Sequence, residues 1–336
     1  MKLFSAICAR AVAALLVGGM TLWCMSAIYY GDFQSSTVRA AAAGLFGLAT
    51  VCGFACVPNR RRTLACFLVA FTITAVLWTR IQPSNRRDWQ QDVAVLPRGT
   101  IQGPLVTLHN IRNFTYRTET DCTPRYYDKT FDTAKLSAVD LIAVYWMGDA
   151  IAHIMLSFGF GGSDYVTFSI ETRKEKNEAY SSIKGFFKQY ELIYLAGDER
   201  DLIRVRTDYR SPQEDVYLYR LRIAPEGARR LFLEYVKKIN QLRGEPEFYN
   251  TLTTNCTTDV VALARALGGA VRYNWKILLS GYAPEYVYEL GRLDTRLPFP
   301  ELRRQSLINR RAHEAGDDPA FSEKIRQGLP GADGWY

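Results

Sequence analysis

Three long apolar stretches near the N-terminus constrain the fold more than any other feature of the chain. They cover about residues 11–30, 40–57 and 63–79, and none of them contains Asp, Glu, Lys or Arg. A helix needs roughly 17 to 25 apolar residues to cross a bilayer, so we predict three transmembrane helices in a membrane domain of residues 1–80. A cleaved signal peptide is the alternative for the first stretch. That stretch is long for such a peptide, and two more apolar stretches follow at once.

Positive charges in the short loops predict the orientation of these helices. Loops rich in Lys and Arg stay in the cytoplasm, so we expect Lys2, Arg10 and the arginine cluster at residues 60–62 on that side. The loop at residues 31–39 carries one cation and is expected outside. Three crossings then place the chain after Arg80 outside the cytoplasm.

The rest of the chain is predicted to be a polar linker, residues 81–104, and one soluble domain, residues 105–336. Alternating and helical patterns both occur in it, which indicates an α+β fold with a small antiparallel sheet and flanking helices. The net charge of +8 does not indicate nucleic acid binding, because the basic residues are scattered. Attraction to anionic membrane lipids is the simpler interpretation, and a solvated surface without a partner is the alternative.

The positions of the cysteines distinguish those that pack in the apolar stretches from those that could react. Five of the seven cysteines lie in or beside the apolar stretches, where a thiol usually acts as a small apolar filler. Cys122 and Cys256 lie in the soluble part. They could form a disulfide in an oxidising compartment, but this would leave the best nucleophile candidate unreactive. No Cys-x-x-Cys pair or His-Cys cluster with metal-ligand spacing occurs, so we expect no metal and no other cofactor.

Two neighbouring segments, residues 151–160 and 165–171, alternate apolar and polar residues and predict a β-hairpin. Residues 161–163, Gly-Gly-Ser, lie between them and are a turn signal. One face of the hairpin is apolar. The other face carries His153, Ser157, Thr167, Ser169 and Glu171.

The register of this hairpin follows from its two faces. Paired residues share a face, so an apolar position must oppose another apolar position. A three-residue loop at residues 161–163 meets this condition and places His153 directly opposite Glu171. The alternative is a loop of the same length at residues 162–164. It would place Glu171 opposite Met155, with the histidine on the diagonal.

Cys256 is predicted to begin a helix. Asn255 is a favourable N-cap residue, apolar residues follow at helical spacing from Val260 to Leu267, and the glycines at residues 268–269 end the pattern. A thiol in the first helical turn lies near free N–H groups and the positive end of the helix dipole. These favour a thiolate and could stabilise an oxyanion. A buried cysteine that only packs is the alternative.

A thiol, an imidazole and a carboxylate are the parts of a cysteine nucleophile site. The segments around them carry a resemblance to a known family. They are IAHIMLSFGF at residues 151–160, SIETR at 169–173, YEL at 190–192, DERD at 198–201, VYLY at 216–219 and YNTLTTNCTT at 249–258. These segments resemble the bacterial family named for the periplasmic domain of the lipoprotein N-acyltransferase Lnb, over roughly residues 105–330. The histidine-then-cysteine order is also similar to the permuted, NlpC-type papain-like fold.

The resemblance implies a thiol acyl-transfer enzyme that faces the periplasm from the bacterial inner membrane. Cys256 would be the nucleophile, His153 the base, and Glu171 the residue that orients the imidazole. The supporting residues would be Asn255, Ser157, Ser169 and Tyr249. Cys256 would take an acyl chain from a phospholipid as a thioester and pass it to an amine, such as the N-terminus of a lipoprotein.

One feature departs from the family pattern. The family name describes an N-terminal domain, whereas here the domain follows the membrane helices, so the donor or the acceptor can differ. Two other functions stay open. One is a cysteine peptidase or amidase acting on peptidoglycan peptides, and the other is a membrane scaffold in which Cys256 and His153 only pack. An apolar groove would favour acyl transfer, a wide polar cleft would favour hydrolysis, and an unreactive thiol would favour the scaffold.

Overall fold

The computed structural model describes residues 2–31, 35–266, 272 and 274–332. The chain divides into two compact units. The first contains Met1–Ser84 together with Ser181–Gln189, and the second contains Asn85–Tyr180 and Tyr190–Tyr336.

The first unit is helical. Its helices are α1 (Lys2–Tyr29), α2 (Ser36–Cys56), α3 (Arg60–Arg80) and α4 (Ser182–Phe186). Within the described residues, α1, α2 and α3 are long and apolar enough to cross a membrane, which confirms the predicted helices. The turn between α2 and α3 is short because Asn59 caps α3, accepting a hydrogen bond from Arg62 N at 3.1 Å. Aromatic rings pack between the helices, and Trp23 lies 5.5 Å from Trp78.

The second unit is built around a sheet. In the described part of the chain this sheet has eight strands in the order β1-β2-β9-β8-β7-β6-β10, with β5 also paired to β2, and β3 and β4 form a separate antiparallel pair. The strands are β1 (Arg98–Gln102), β2 (Leu105–Arg112), β3 (Thr115–Tyr116), β4 (Cys122–Thr123), β5 (Tyr126–Asp132), β6 (Leu136–Tyr145), β7 (Ala152–Phe160), β8 (Asp164–Arg173), β9 (Glu191–Gly197) and β10 (Asp215–Arg220).

Helices cover both faces of the sheet. They are α5 (Glu199–Leu202), α6 (Pro225–Gly244), α7 (Cys256–Ala266), α8 (Trp275–Leu278), α9 (Ala283–Glu289), α10 (Phe299–Gln305), α11 (Asn309–Ala315) and α12 (Phe321–Lys324). On one face, Phe232 of α6 packs 5.4 Å from Phe158 in a core of aromatic and aliphatic side chains. On the other face, Met155 joins Leu202 and Phe321 in a second cluster. The predicted α+β class is confirmed.

The predicted hairpin register is also confirmed. Phe160 pairs with Asp164 and Met155 pairs with Ser169, which requires the three-residue loop at residues 161–163. Gly161 and Gly162 adopt φ values of 63° and 92° there, in the left-handed region that side chains disfavour.

The sheet is larger than the sequence pattern indicates. No alternating pattern marks β9 in the sequence, yet this strand runs through the middle of the sheet. It and β6 are buried on both faces, and such strands are near-continuous apolar runs without the alternation that marks a half-exposed strand. β1 begins inside the segment predicted as a linker. The predicted end of α7 at residues 268–269 lies outside the described residues.

Candidate active site

The hairpin fixes the imidazole of His153. Its Nε2 lies 2.7 Å from Ser169 Oγ and 3.1 Å from Glu171 Oε1. The Ser169 hydroxyl donates to the same Glu171 oxygen at 2.6 Å. Because residues two apart on a strand share a face, the register that opposes His153 to Glu171 brings both side chains of β8 to the ring. This arrangement leaves Nδ1 of the ring for another partner.

The N-terminus of α7 positions Cys256. Asn255 Oδ1 accepts hydrogen bonds from the N–H groups of Thr257 and Thr258, both at 2.9 Å. In return, Asn255 N donates to Thr258 Oγ1 at 2.8 Å. Asn255 is therefore the N-cap, as predicted, and Cys256 is the first helical residue.

The sulfur of Cys256 meets the imidazole of His153. The two side chains line the same cavity, and each shifts the pKa of the other; the backbone N–H of Ile154 also lowers the pKa of the thiol. Thr257 Oγ1 lies 3.9 Å from the sulfur. The sequence-predicted thiol, imidazole and carboxylate therefore form one connected row, from Cys256 through His153 to Glu171.

The electrostatics of this row favour a thiolate–imidazolium pair. Burial raises the pKa of Cys256, but interaction with His153, helped by the N–H of Ile154 and the hydroxyl of Thr257, outweighs it and lowers that pKa. Burial opposes the charged form of His153, yet the charge of Glu171 and the hydrogen bonds to Cys256 and Glu171 raise its pKa to about 9. Burial disfavours the Glu171 carboxylate too, but His153 and Arg206 hold its pKa well below the usual range.

Arg206 is a site residue that sequence reasoning missed. Its Nη2 donates to Glu171 Oε1 at 3.1 Å, and its Nη1 donates to Leu202 O at 2.6 Å. It lies on a π-helical turn, Val205–Tyr209, and is buried. No local pattern marks it, because its contact with Glu171 depends on how this turn packs against the sheet.

A cavity of about 690 Å³ opens onto Cys256, His153 and Glu171. Its lining mixes aromatic, aliphatic and charged side chains, and it includes Tyr249, which was expected to support the site. Other side chains that line it are Arg112, Tyr116, Glu119, Cys122, Trp146, Ile170, Lys174, Lys176, Leu195 and Arg210. Cys122 and Cys256 share this cavity as free thiols, so the disulfide considered from the sequence is not formed.

Ser157, also expected to support the site, takes part in a different structure. Its hydroxyl donates to Glu199 Oε1 at 2.5 Å. Arg326 bridges Glu199 and Asp140 at 2.6 and 2.8 Å, and Arg220 also donates to Asp140. The structure thus places Ser157 in a buried ion-pair network, and its hydroxyl is directed to Glu199.

The part of the chain that the structure describes contains no metal-binding site of His, Cys, Asp and Glu side chains. No group of three or more His, Cys, Asp and Glu side chains there could hold a metal ion.

The order of the site along the chain, a histidine strand followed by a cysteine helix, can be compared with known families. Residues 123–281 match the family model of the Lnb N-terminal periplasmic domain. The resemblance expected from the sequence is therefore confirmed, and the matched residues, here called the Lnb-like segment, include β7, β8 and α7. With the three apolar helices, the match indicates a membrane protein with a periplasmic domain. No curated protein and no solved structure matches the chain, so the papain-like fold stays a prediction.

Proposed function

We propose that the chain is a membrane-anchored thiol acyltransferase whose nucleophile is Cys256. The observation that carries the proposal is the row of Cys256, His153 and Glu171, which line one cavity at the capped start of α7. A thiolate in this position has the base, the orienting carboxylate and the helix N–H groups that acyl transfer requires. The Lnb-like segment and the membrane helices support a lipid-linked substrate.

In the first half of the proposed reaction, the Cys256 thiolate attacks the ester carbonyl of a phospholipid acyl chain. The backbone N–H of Cys256 would stabilise the negative charge on the carbonyl oxygen, since the Asn255 cap accepts from those of Thr257 and Thr258. The tetrahedral intermediate collapses with cleavage of the ester C–O bond. The imidazolium of His153 donates its proton to the departing lysophospholipid oxygen, which leaves an acyl thioester on Cys256.

In the second half, an amine attacks the thioester. Neutral His153 accepts a proton from the attacking nitrogen, the C–S bond breaks, and the acyl chain leaves as an amide. The N-terminus of a lipoprotein is the acceptor we propose. Transmembrane helices on the same chain would hold the thiol near both lipid-bound reactants. This would reduce the entropy cost of bringing the reactants together.

We further propose that this takes place on the periplasmic side of the bacterial inner membrane, with the N-terminus of the chain in the cytoplasm. The arginines at residues 60–62 support this orientation. A reporter enzyme that is active only in the periplasm should be active when fused after Tyr336. Activity from a cytoplasm-dependent reporter alone would reverse the orientation.

A second candidate is hydrolysis of peptidoglycan peptides by the same three residues. The charged part of the cavity lining favours it. Arg112, Glu119, Lys174 and Lys176 are groups that a polar peptide could contact and an acyl chain could not. Water would then replace the amine in the second half-reaction.

A cysteine-to-serine pair of variants tests the transferase. Cys256→Ser keeps the size of the side chain but replaces the thiol by a hydroxyl that hardly ionises, and Cys122→Ser makes the same change in the same cavity away from the nucleophile. Each protein is expressed in a bacterium that lacks lipoprotein N-acylation, and the N-terminal peptide of a reporter lipoprotein is weighed by mass spectrometry.

The wild type and Cys122→Ser should each add one fatty acyl mass to the reporter, and Cys256→Ser should add none at an equal membrane level. An unmodified reporter with well-expressed wild type would reject lipoprotein N-acylation. Digestion of stem peptides by the wild type but not by Cys256→Ser would then establish the hydrolase, and inactivity in both assays would favour the scaffold.

A further inference from the structure

The segment Ser181–Gln189 contacts the ends of two membrane helices, α1 and α3, which lie much earlier in the sequence. Gln189 Nε2 donates to Tyr30 O, just after α1, at 2.6 Å. The ring of Phe187 stacks on the ring of Tyr30 with their centroids 5.5 Å apart. One polar and one aromatic contact therefore fasten the segment to the end of α1.

Lys188 fastens the same segment to the end of α3. Its Nζ donates to Trp78 O and to Ile81 O, each at 3.1 Å, and it lies 4.5 Å from the centre of the Trp78 ring. The last carbonyls of a helix have no partners within it and carry the negative end of its dipole, so an ammonium group stabilises them. Because α1 and α3 run in the same direction, both contacts lie on one side of the membrane.

The short helix α4 in this segment exposes apolar side chains. Ile183 is 57% exposed and Phe186 is 41% exposed. They are three residues apart, so they lie on the same side of the helix. Tyr30 and Trp78, which the segment contacts, are residue types that concentrate where transmembrane helices leave the hydrocarbon region.

We propose that Ser181–Gln189 is a membrane-interface element, with Ile183 and Phe186 inserted into the leaflet at which α1 and α3 end. A lipid surface is the occupant of this apolar side, because the segment is continuous with two membrane helices at their aromatic ends. Short elements with apolar residues on one side and Lys on another lie at the boundary between headgroups and acyl chains, and Lys184 supplies a further cation here.

Photo-crosslinking of the full chain tests this proposal. The photoreactive residue p-benzoylphenylalanine replaces Ile183, Phe186, Leu77 or Ile101, one at a time. Each protein is placed in nanodiscs of phosphatidylethanolamine and phosphatidylglycerol, and lipid adducts are measured by mass spectrometry. Leu77, exposed on α3, is the positive control. Ile101, an isoleucine of the second unit that is 43% exposed, is the matched control.

Ile183→p-benzoylphenylalanine and the corresponding Phe186 variant should form lipid adducts at a yield close to that at Leu77 and roughly tenfold above that at Ile101. Adducts at Leu77 but not at residues 183 and 186 would overturn the proposal. Crosslinks from 183 and 186 to protein instead of lipid would also overturn it, and so would equal yields at all four positions.

Discussion

Replacing His153 with alanine should raise the pKa of Cys256 and slow its alkylation at neutral pH. In the folded protein, burial raises this pKa, and the hydrogen bond and charge of His153 are the largest contributions that lower it. His153→Ala removes both. What remains is burial, opposed only by the N–H of Ile154 and the hydroxyl of Thr257, so the thiol should lose most of its thiolate character.

The alkylation rate of Cys256 can be compared with that of Cys122 in the same protein. Cys122 lines the same cavity, but burial and the nearby Asp201 carboxylate raise its pKa. About 3% of a thiol with a pKa of 8.5 is thiolate at pH 7, so Cys122 should be less ionised than this and Cys256 more. Each unit of lowered pKa gives nearly tenfold more thiolate and costs about threefold in nucleophilicity. Because the two pKa shifts are opposite, Cys256 should react faster than Cys122 at neutral pH, by about threefold for each unit that separates the two pKa values.

The assay is alkylation by isotope-coded iodoacetamide, followed for both cysteine peptides by mass spectrometry between about pH 5 and pH 10. In the wild type, the midpoint for Cys256 should lie below that for Cys122. In His153→Ala, the Cys256 midpoint should move upward while the Cys122 midpoint stays in place. His109→Ala is the control, because that histidine pairs with Asp128 on another part of the sheet. Identical Cys256 midpoints in the wild type and His153→Ala would refute the thiolate–imidazolium assignment.

Two other substitutions test the support of the site. Glu171→Gln removes the charge that raises the pKa of His153 to about 9. The imidazolium should then be lost at lower pH, so the upper pH limit of thioester formation should move down. An unchanged upper limit in a pH–rate profile would contradict this. Asn255→Ala removes the cap of α7 and should cost about 1 kcal/mol there. Hydrogen exchange of the first amides of α7 should accelerate and Cys256 alkylation should slow, whereas Asn274→Ala, which removes the cap of α8, should change neither.

The hairpin could be predicted in detail because its two strands contain the needed information locally. Each alternates apolar and polar residues, so only a loop of odd length matches their faces, and the loop at residues 161–163 is the one adopted. The cap at Asn255 is equally local, since the side chain reaches only the next helical turn. Both features can be predicted because their partners are close in sequence.

Features that depend on distant partners could not be predicted in this way. The strand β9 lacks alternation because α6 covers one of its faces and the segment around Val93 and Leu96 covers the other. Arg206 contacts Glu171 only because its π-helical turn packs beside β10 and α5, which brings the guanidinium to the carboxylate. Ser157 points the same way from β7 as His153, and only the placement of Arg326 explains why Glu199 becomes its partner.

The residue that orients His153 is determined partly by the local sequence pattern and partly by the folded structure. The sequence places Ser169 and Glu171 on one face of β8 and leaves either able to orient His153. In the structure they act together, because the serine hydroxyl donates to Glu171 and can accept only from the protonated Nε2 of the imidazole. Ser169 thus fixes Nε2 as a donor, and we infer that Nδ1 is the nitrogen that exchanges a proton with Cys256. A Ser169→Ala variant should leave the charge of Glu171 in place but loosen this tautomer. The site therefore depends on a pair, Ser169 and Glu171. The two-residue period of the strand brings them to one face, and the register of the hairpin places them opposite His153.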